Sequence, residues 1–206
     1  MVRIRKYKLS FTAASLRLNE MVKVARYALE HNVEELQQVR DSHIVFGSVK
    51  LRTTEREFRE IKNRLEKLTP EQLDVLAHGD YISQKHIAFL SVCKHYDFIK
   101  DFTVDIIRDK ALVFNYQINE SDINAFINSK ISSHPELEEF SESTLKKGIQ
   151  VMFRILEQSG ILNNAVEKTI QPQVLLPEVI KSILVDDPQW LKIFLMSDKD
   201  IKQLRY

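Results

Sequence analysis

The sequence predicts an all-α protein, a compact helical bundle. Three observations carry that reading. Only four glycines and five prolines occur in 206 residues, so breaks are few and helices long. Apolar residues recur at three- and four-residue spacing through most of the chain. Cap and stop residues stand at the ends of these runs, as at Thr69-Pro70 and Gly160.

The elements follow in order. Leu16, Met21, Val24 and Leu29, with Ala25 and Ala28, predict a helix from about Ala13 to Glu30. A short helix is expected across Val33 to Val39. His43 to Leu51 carries β-branched residues around Gly47 and fits strand, loop or bent helix equally. Phe58, Ile61, Leu65 and Leu68 make one face of a helix, and Thr54 with Glu57 has capping-box spacing. Thr69-Pro70 starts the next, which Gly79 stops. Ser83 is expected to cap a helix whose Ile87, Phe89, Leu90, Val92 and Cys93 cover most of its circumference, which marks it as buried. Asp97 to Lys110 continues with Phe98, Phe102, Val104 and Ile106. Ala111 to Ile118 is short, aromatic and β-branched, and reads as a connector strand. Ser121 starts a helix through Ile131, His134-Pro135 breaks it, and Ser141 or Ser143 starts a long helix ended by Gly160. The stretch 161–176, with Asn163-Asn164 and two flanking prolines, is expected to form a small β-hairpin. Short helices at Pro177–Leu184, Pro188–Met196 and Asp198–Leu204 finish the chain, with Trp190 as a core anchor. A basic N-terminal helical subdomain at 1–110 and a C-terminal one at 111–206 are expected, packed as one unit.

Charge is distributed unevenly. Residues 1–67 hold 15 Lys and Arg against 9 Asp and Glu, whereas the remainder holds 15 against 20. Such asymmetry points to an anionic partner for the N-terminal part. Arg52, Arg56 and Arg59 fall within about 60° of one another on a helical wheel, away from the apolar stripe. Their planar guanidinium forks match phosphate oxygens. Equally, Glu55–Arg59, Arg56–Glu60 and Glu60–Arg64 have the spacing of i,i+4 pairs, which would make the row an ordinary solvated face. The N-terminal VRIRKYKL is different, because Arg3, Arg5, Lys6 and Lys8 have no local acids, and Tyr7 is placed to stack on a base or sugar. The run from Ser121 to Leu176 has the order of a winged helix, with Lys146, Lys147 and Arg154 on its long helix, although helix–turn–helix–hairpin runs also arise by chance.

Other chemistries are poorly supported. Asp97, Asp101 and Asp105 form an acidic stripe that Lys100 and Arg108 can neutralise. The six histidines lack zinc spacing, and a lone Cys93 supplies no thiolate cluster or disulfide. No P-loop, dinucleotide fingerprint or nucleophile elbow occurs. No uncharged run exceeds nine residues, far short of the ~20 of a membrane helix. A cytoplasmic, non-enzymatic protein without cofactor or metal is expected.

Four segments resemble a known family: YKLSFTAASLRLNEMVKVARYAL (7–29), REIKNRLEKLTPEQLDVLAHGD (59–80), KHYDFIKDFTVDIIRD (94–109) and STLKKGIQVMFRILEQSGIL (143–162). They are similar to the BrxA family of BREX phage-defence systems. The resemblance implies a NusB-like all-α bundle, no enzymatic activity, double-stranded DNA as a partner through a basic surface, and work beside other BREX proteins. With it, the arginine row is read as part of a basic DNA-binding surface made of Arg3, Arg5, Lys6, Lys8, Arg52, Arg56, Arg59, Lys62, Lys146 and Lys147. These residues rest on charge placement. An interaction scaffold within the BREX complex and a NusB-like RNA-binding factor are the alternatives.

Overall fold

The computed structural model describes residues 6–31 and 51–204, without the side chains of 51–54. The helix expected at 33–39, most of the undecided stretch 43–51, and Arg3 and Arg5 lie outside the described residues. Eleven α-helices occur among the described residues, and no β-strand.

A 3₁₀ turn at Ser10–Ala13 leads to α1, Leu18–His31, which starts later than the periodicity suggests. Next come α2, Leu51–Leu65, α3, Pro70–His78, and α4, Tyr81–His95. Thr69 caps α3 as expected: its hydroxyl accepts from Gln72 N, and Gln72 Oε1 accepts from Thr69 N. The expected cap of α4 is displaced by three residues. Asp80 takes the role, accepting from both Ile82 and Ser83 N at 2.8 Å. Ser83 instead lies inside and donates to Glu178 at 2.7 Å.

Helix α4 is the hub. Residues His86 to Lys94 are all buried, and α1, α2, α3, α9 and α10 pack around it. It passes through Tyr96 into α5, Asp97–Phe102, which continues as a π-helical stretch, Thr103–Arg108, and then α6, Asp109–Leu112. Thr103 bonds back to the Ile99 carbonyl at 2.8 Å just where the helix widens. Then α7, Glu120–Lys130, and α8, Glu136–Glu139, precede the long α9, Glu142–Ser159. Ser141 caps α9, and Gly160 ends it at φ 83°, in the left-handed region that favours glycine. The chain closes with α10, Pro177–Asp186, a 3₁₀ helix, Pro188–Phe194, and α11, Asp198–Gln203.

The hairpin expected at 161–176 reduces to one antiparallel bridge, Leu162↔Ile170, and the connector strand to another, Gln117↔Thr169. Val113 and Phe114 occupy a turn, and beyond Gln171, whose N–H donates to the Ile161 carbonyl at 2.8 Å, residues 172–176 form no bridge. Pro172 cannot donate to a ladder, and the Asn163 and Asn164 side chains satisfy the turn's own amides, so pairing stops after one rung. The helix order of a winged helix is present, but a two-stranded wing is not. Buried residues form one cluster from Tyr7 to Ile201. Lys94 ties its two halves together, reaching Gln72 at 2.8 Å and Asp186 at 2.6 Å.

Candidate nucleic-acid interface

The N-terminal segment is built on period two. Tyr7, Leu9 and Phe11 are buried, while Lys6, Lys8 and Ser10 are exposed. Tyr7 is therefore not available to stack on a base. Its ring stacks on His134 at 3.5 Å and meets Phe98 edge-on at 5.3 Å. Its hydroxyl donates to Asp101 at 2.7 Å, and its backbone N–H donates to Glu136 at 2.5 Å. Burial and the adjacent carboxylate push the phenol far above its usual range. An aromatic ring with one polar handle is held by apolar walls and a partner for that handle, and the bundle interior supplies both. The segment then runs along α9: Leu9 lies against Gly148, where an added Cβ would sit 3.2 Å from Leu9 Cδ1, and Leu16 N–H donates to Gln158 at 2.9 Å. Lys6 and Lys8 thus extend from a seated strand-like rail.

Helix α2 settles which charge pairs form. Phe58, Ile61 and Leu65 face the core. Arg64 is fully buried with them, donating to the Ala14 carbonyl at 2.7 Å, the Ser15 carbonyl at 2.8 Å and Glu60 at 3.0 Å. Glu60 also accepts the Tyr96 hydroxyl, and that bond with burial raises the Tyr96 phenol well above its usual range. Glu57 is turned to Arg17, which Glu20 also approaches at 3.5 Å, and these carboxylates hold the Arg17 guanidinium in its charged form more firmly than usual. So the carboxylate expected to quench Arg56 points inward. Arg56 and Arg59 are exposed and have no ion-pair partner among the described residues. Lys62 is half-buried and pairs with Glu66 at 3.6 Å. The side chain of Arg52 lies outside the described residues.

On α9, Lys146, Lys147 and Arg154 are exposed on the side away from Met152 and Leu156, and Lys147 reaches Gln150 at 3.2 Å. Two further residues, one cationic and one titratable, come into the neighbourhood without any local sequence signal. Lys67 is exposed in the turn after α2. His95, at the end of α4, is held in its neutral form by burial and by the positive charges of Lys67, Arg64 and Lys8, with Glu60 opposing. Lys8 is thereby placed with the C-terminal end of α2, whereas Arg59 and Arg56 lie about 1.7 and 2.5 helical turns toward its other end.

The remaining candidates resolve into structural roles. Lys100 pairs with Asp97 at 2.9 Å and Asp101 at 3.1 Å, and Lys130 pairs with Asp105 at 2.6 Å. Arg108 does not join that stripe; it donates to the Met196 carbonyl and to Asp198, anchoring α11. Cys93 is wholly buried, and burial pushes its thiol up, against any role as a nucleophile. Among the described residues no group of three or more His, Cys, Asp or Glu side chains is placed to hold a metal ion, and no helix is long and apolar enough to cross a membrane.

The sequence model of the BrxA family matches residues 5–185. The chain belongs to the BrxA family. Among curated relatives, the BREX protein BrxA of Escherichia coli O9:H4 (strain HS) is 24% identical over 136 residues, which span 66% of this chain and 64% of that protein. The BREX protein BrxA of Bacillus cereus (strain H3081.97) is 26% identical over 168 residues, 80% of this chain and 82% of that one. A crystal structure of an uncharacterized protein from Magnetospirillum magneticum superposes with a TM-score of 0.77 at 19% identity, covering 93% of this chain and 99% of the other. At that identity the likeness establishes a shared fold. The family match includes the seated N-terminal rail, α2 and α9, the three elements that carry the cations singled out from the sequence.

Proposed function

We propose that this protein is a non-enzymatic component of a BREX phage-defence system that binds duplex DNA through a basic surface, with little base readout. The observation that carries the reading is the fate of the α2 carboxylates. Glu60, the expected partner of Arg56, is drawn inward by Arg64, and Glu57 turns to Arg17; Glu55, the expected partner of Arg59, makes no ion pair among the described residues, so Arg56 and Arg59 are exposed and unpaired there. Unpaired guanidinium groups facing water are suited to phosphate oxygens, and they lose little on binding because no existing ion pair must be broken. Lys6 and Lys8 on the rail, Lys62 on α2, and Lys146 and Lys147 on α9 add further cations, with Arg3, Arg5 and Arg52 assigned from sequence. Other BREX proteins are its expected partners.

The test is the affinity for a labelled duplex as a function of salt. Each phosphate neutralised contributes a slope of roughly −0.9 in log K against log salt, so a surface of this size predicts a slope of about −3 to −6. A slope near zero removes the model. Equal competition by unrelated duplexes is expected, and strong preference for RNA would move the reading to the RNA-binding alternative.

A scaffold role is favoured by a separate observation. Val113, Phe114 and Val166 are 71%, 80% and 85% exposed, an unusual display of large apolar side chains. Co-purification with another BREX protein that Phe114→Ser abolishes, in the absence of any DNA retardation, would establish that role instead.

A further inference from the structure

Three elements converge at the C-terminal end of α2. Tyr96 donates to Glu60 and shares a 3.1 Å hydrogen bond with Ser10, which brings the rail carrying Lys8 to this corner. Lys67 is fixed here too, because its carbonyl accepts from Lys94 Nζ at 3.0 Å. His95 follows Lys94 and packs edge-on against the Tyr96 ring at 4.6 Å. Its Nδ1 is buried without a hydrogen-bond partner among the described residues. Glu60 is the carboxylate that acts on His95, and Arg64 and Tyr96 both engage it. Lys94 on the same helix is turned away to Gln72 and Asp186. Lys8 and Lys67 are exposed and have no ion-pair partner among the described residues. The corner therefore gathers more positive charge than its own carboxylate can balance, beside an imidazole with an unused ring nitrogen.

Resting on the DNA reading above, we infer that Lys8, Lys67 and His95 form a phosphate-holding point at which His95 takes up a proton as the anion binds. In the free protein burial first, and then the positive charges of Lys67, Arg64 and Lys8, disfavour a proton on the imidazole, with Glu60 opposing. A phosphate seated between the lysines offsets part of that repulsion and so favours the charged imidazole. The bound imidazole then holds its proton to higher pH than the free one, so affinity rises as pH falls through the histidine range. Two exposed lysines would bind an anion by charge alone. The half-buried histidine adds a proton-linked interaction that charge counting does not supply.

The experiment measures binding of a fluorescein-labelled duplex at fixed salt from about pH 8 to about pH 5.5. Wild type is compared with His95→Gln and Lys8→Gln, each checked for folding by circular dichroism. Wild type should tighten by about three- to tenfold across that range, tenfold corresponding to a one-unit rise in the imidazole pKa. His95→Gln should match wild type near pH 8 and lose most of the tightening, and Lys8→Gln should weaken binding throughout. A second arm follows the histidine ring proton signals by NMR with inorganic phosphate, assigning His95 by its loss in His95→Gln. Phosphate should raise the titration midpoint of His95. If His95→Gln tightens as much as wild type, the inference falls while DNA binding stands. If neither protein binds duplex at any pH, the DNA reading falls and the phosphate arm decides: a raised midpoint keeps the anion site, and an unmoved one overturns it.

Discussion

Replacing Arg64 by Met tests the network that leaves the arginine row unpaired. Arg64 is wholly buried and makes three hydrogen bonds, to Ala14, Ser15 and Glu60, at 2.7–3.0 Å. Methionine fills similar volume but donates nothing. Two carbonyls lose a charge-assisted donor, and Glu60, with 8% of its side chain exposed, keeps only the Tyr96 hydroxyl. Breaking a buried pair by removing one partner costs about 3–5 kcal/mol. In a chain of this length each kcal/mol moves the melting midpoint by roughly 2–4 °C, so Arg64→Met should lower it by roughly 10 °C. The double variant Glu60→Gln/Arg64→Met removes the stranded charge and should recover about half of the loss. Thermal unfolding followed by far-ultraviolet circular dichroism reads both. A single variant within about 2 °C of wild type, or a double variant no more stable than the single, would show that the network does not carry the charge assigned to it.

Charge reversal at Arg56 and Arg59 should weaken duplex binding alike for all sequences and reduce the salt slope by about two, one for each phosphate no longer neutralised, as read by anisotropy titrations at several salt concentrations. Tyr7→Phe should cost about 1–2 kcal/mol in urea unfolding, because it leaves the partly buried Asp101 carboxylate without the phenol donor while Lys100 and Lys130 remain. Glu136 introduces a pH dependence. The Tyr7 N–H and His134 hold its carboxyl below the usual range against the opposing effect of burial. A carboxyl with a folded-state pKa below its unfolded one contributes stability above the unfolded value and loses it as pH falls through the folded one. Acid unfolding of wild type should therefore steepen below about pH 5, and Glu136→Gln should flatten that part of the profile.

What could be read from residues alone was local. The cap of α3 at Thr69, a start at Ser141 or Ser143 (Ser141 in the structure) and the stop at Gly160 were legible because a cap closes within three or four residues, and the start at Pro177 because proline suits the first helical position. The buried character of α4 was legible for the same reason, since its apolar residues surround the helix axis. The hairpin was misread because Asn163 and Asn164 signal a turn equally well whether or not strands follow. The alternation in VRIRKYKL was visible, but not that Tyr7 would be an interior residue: its partners, Asp101, His134 and Glu136, lie far along the chain.

The presence of most helices was thus determined by the sequence itself, though not every limit, and so was the excess of positive charge before residue 68. Which of those charges face water was decided only by the tertiary structure. Arg56 and Arg64 both sit at i,i+4 from Glu60; the helical wheel puts Arg64 about 40° from the apolar stripe and Arg56 about 120° from it, but it does not show which one takes the carboxylate. Arg64 takes the carboxylate because the Ala14 and Ser15 carbonyls and the Tyr96 hydroxyl meet it at the same buried point, so its charge and that of Glu60 are satisfied together. A buried charge goes where several distant partners converge, and the chain must fold before they do.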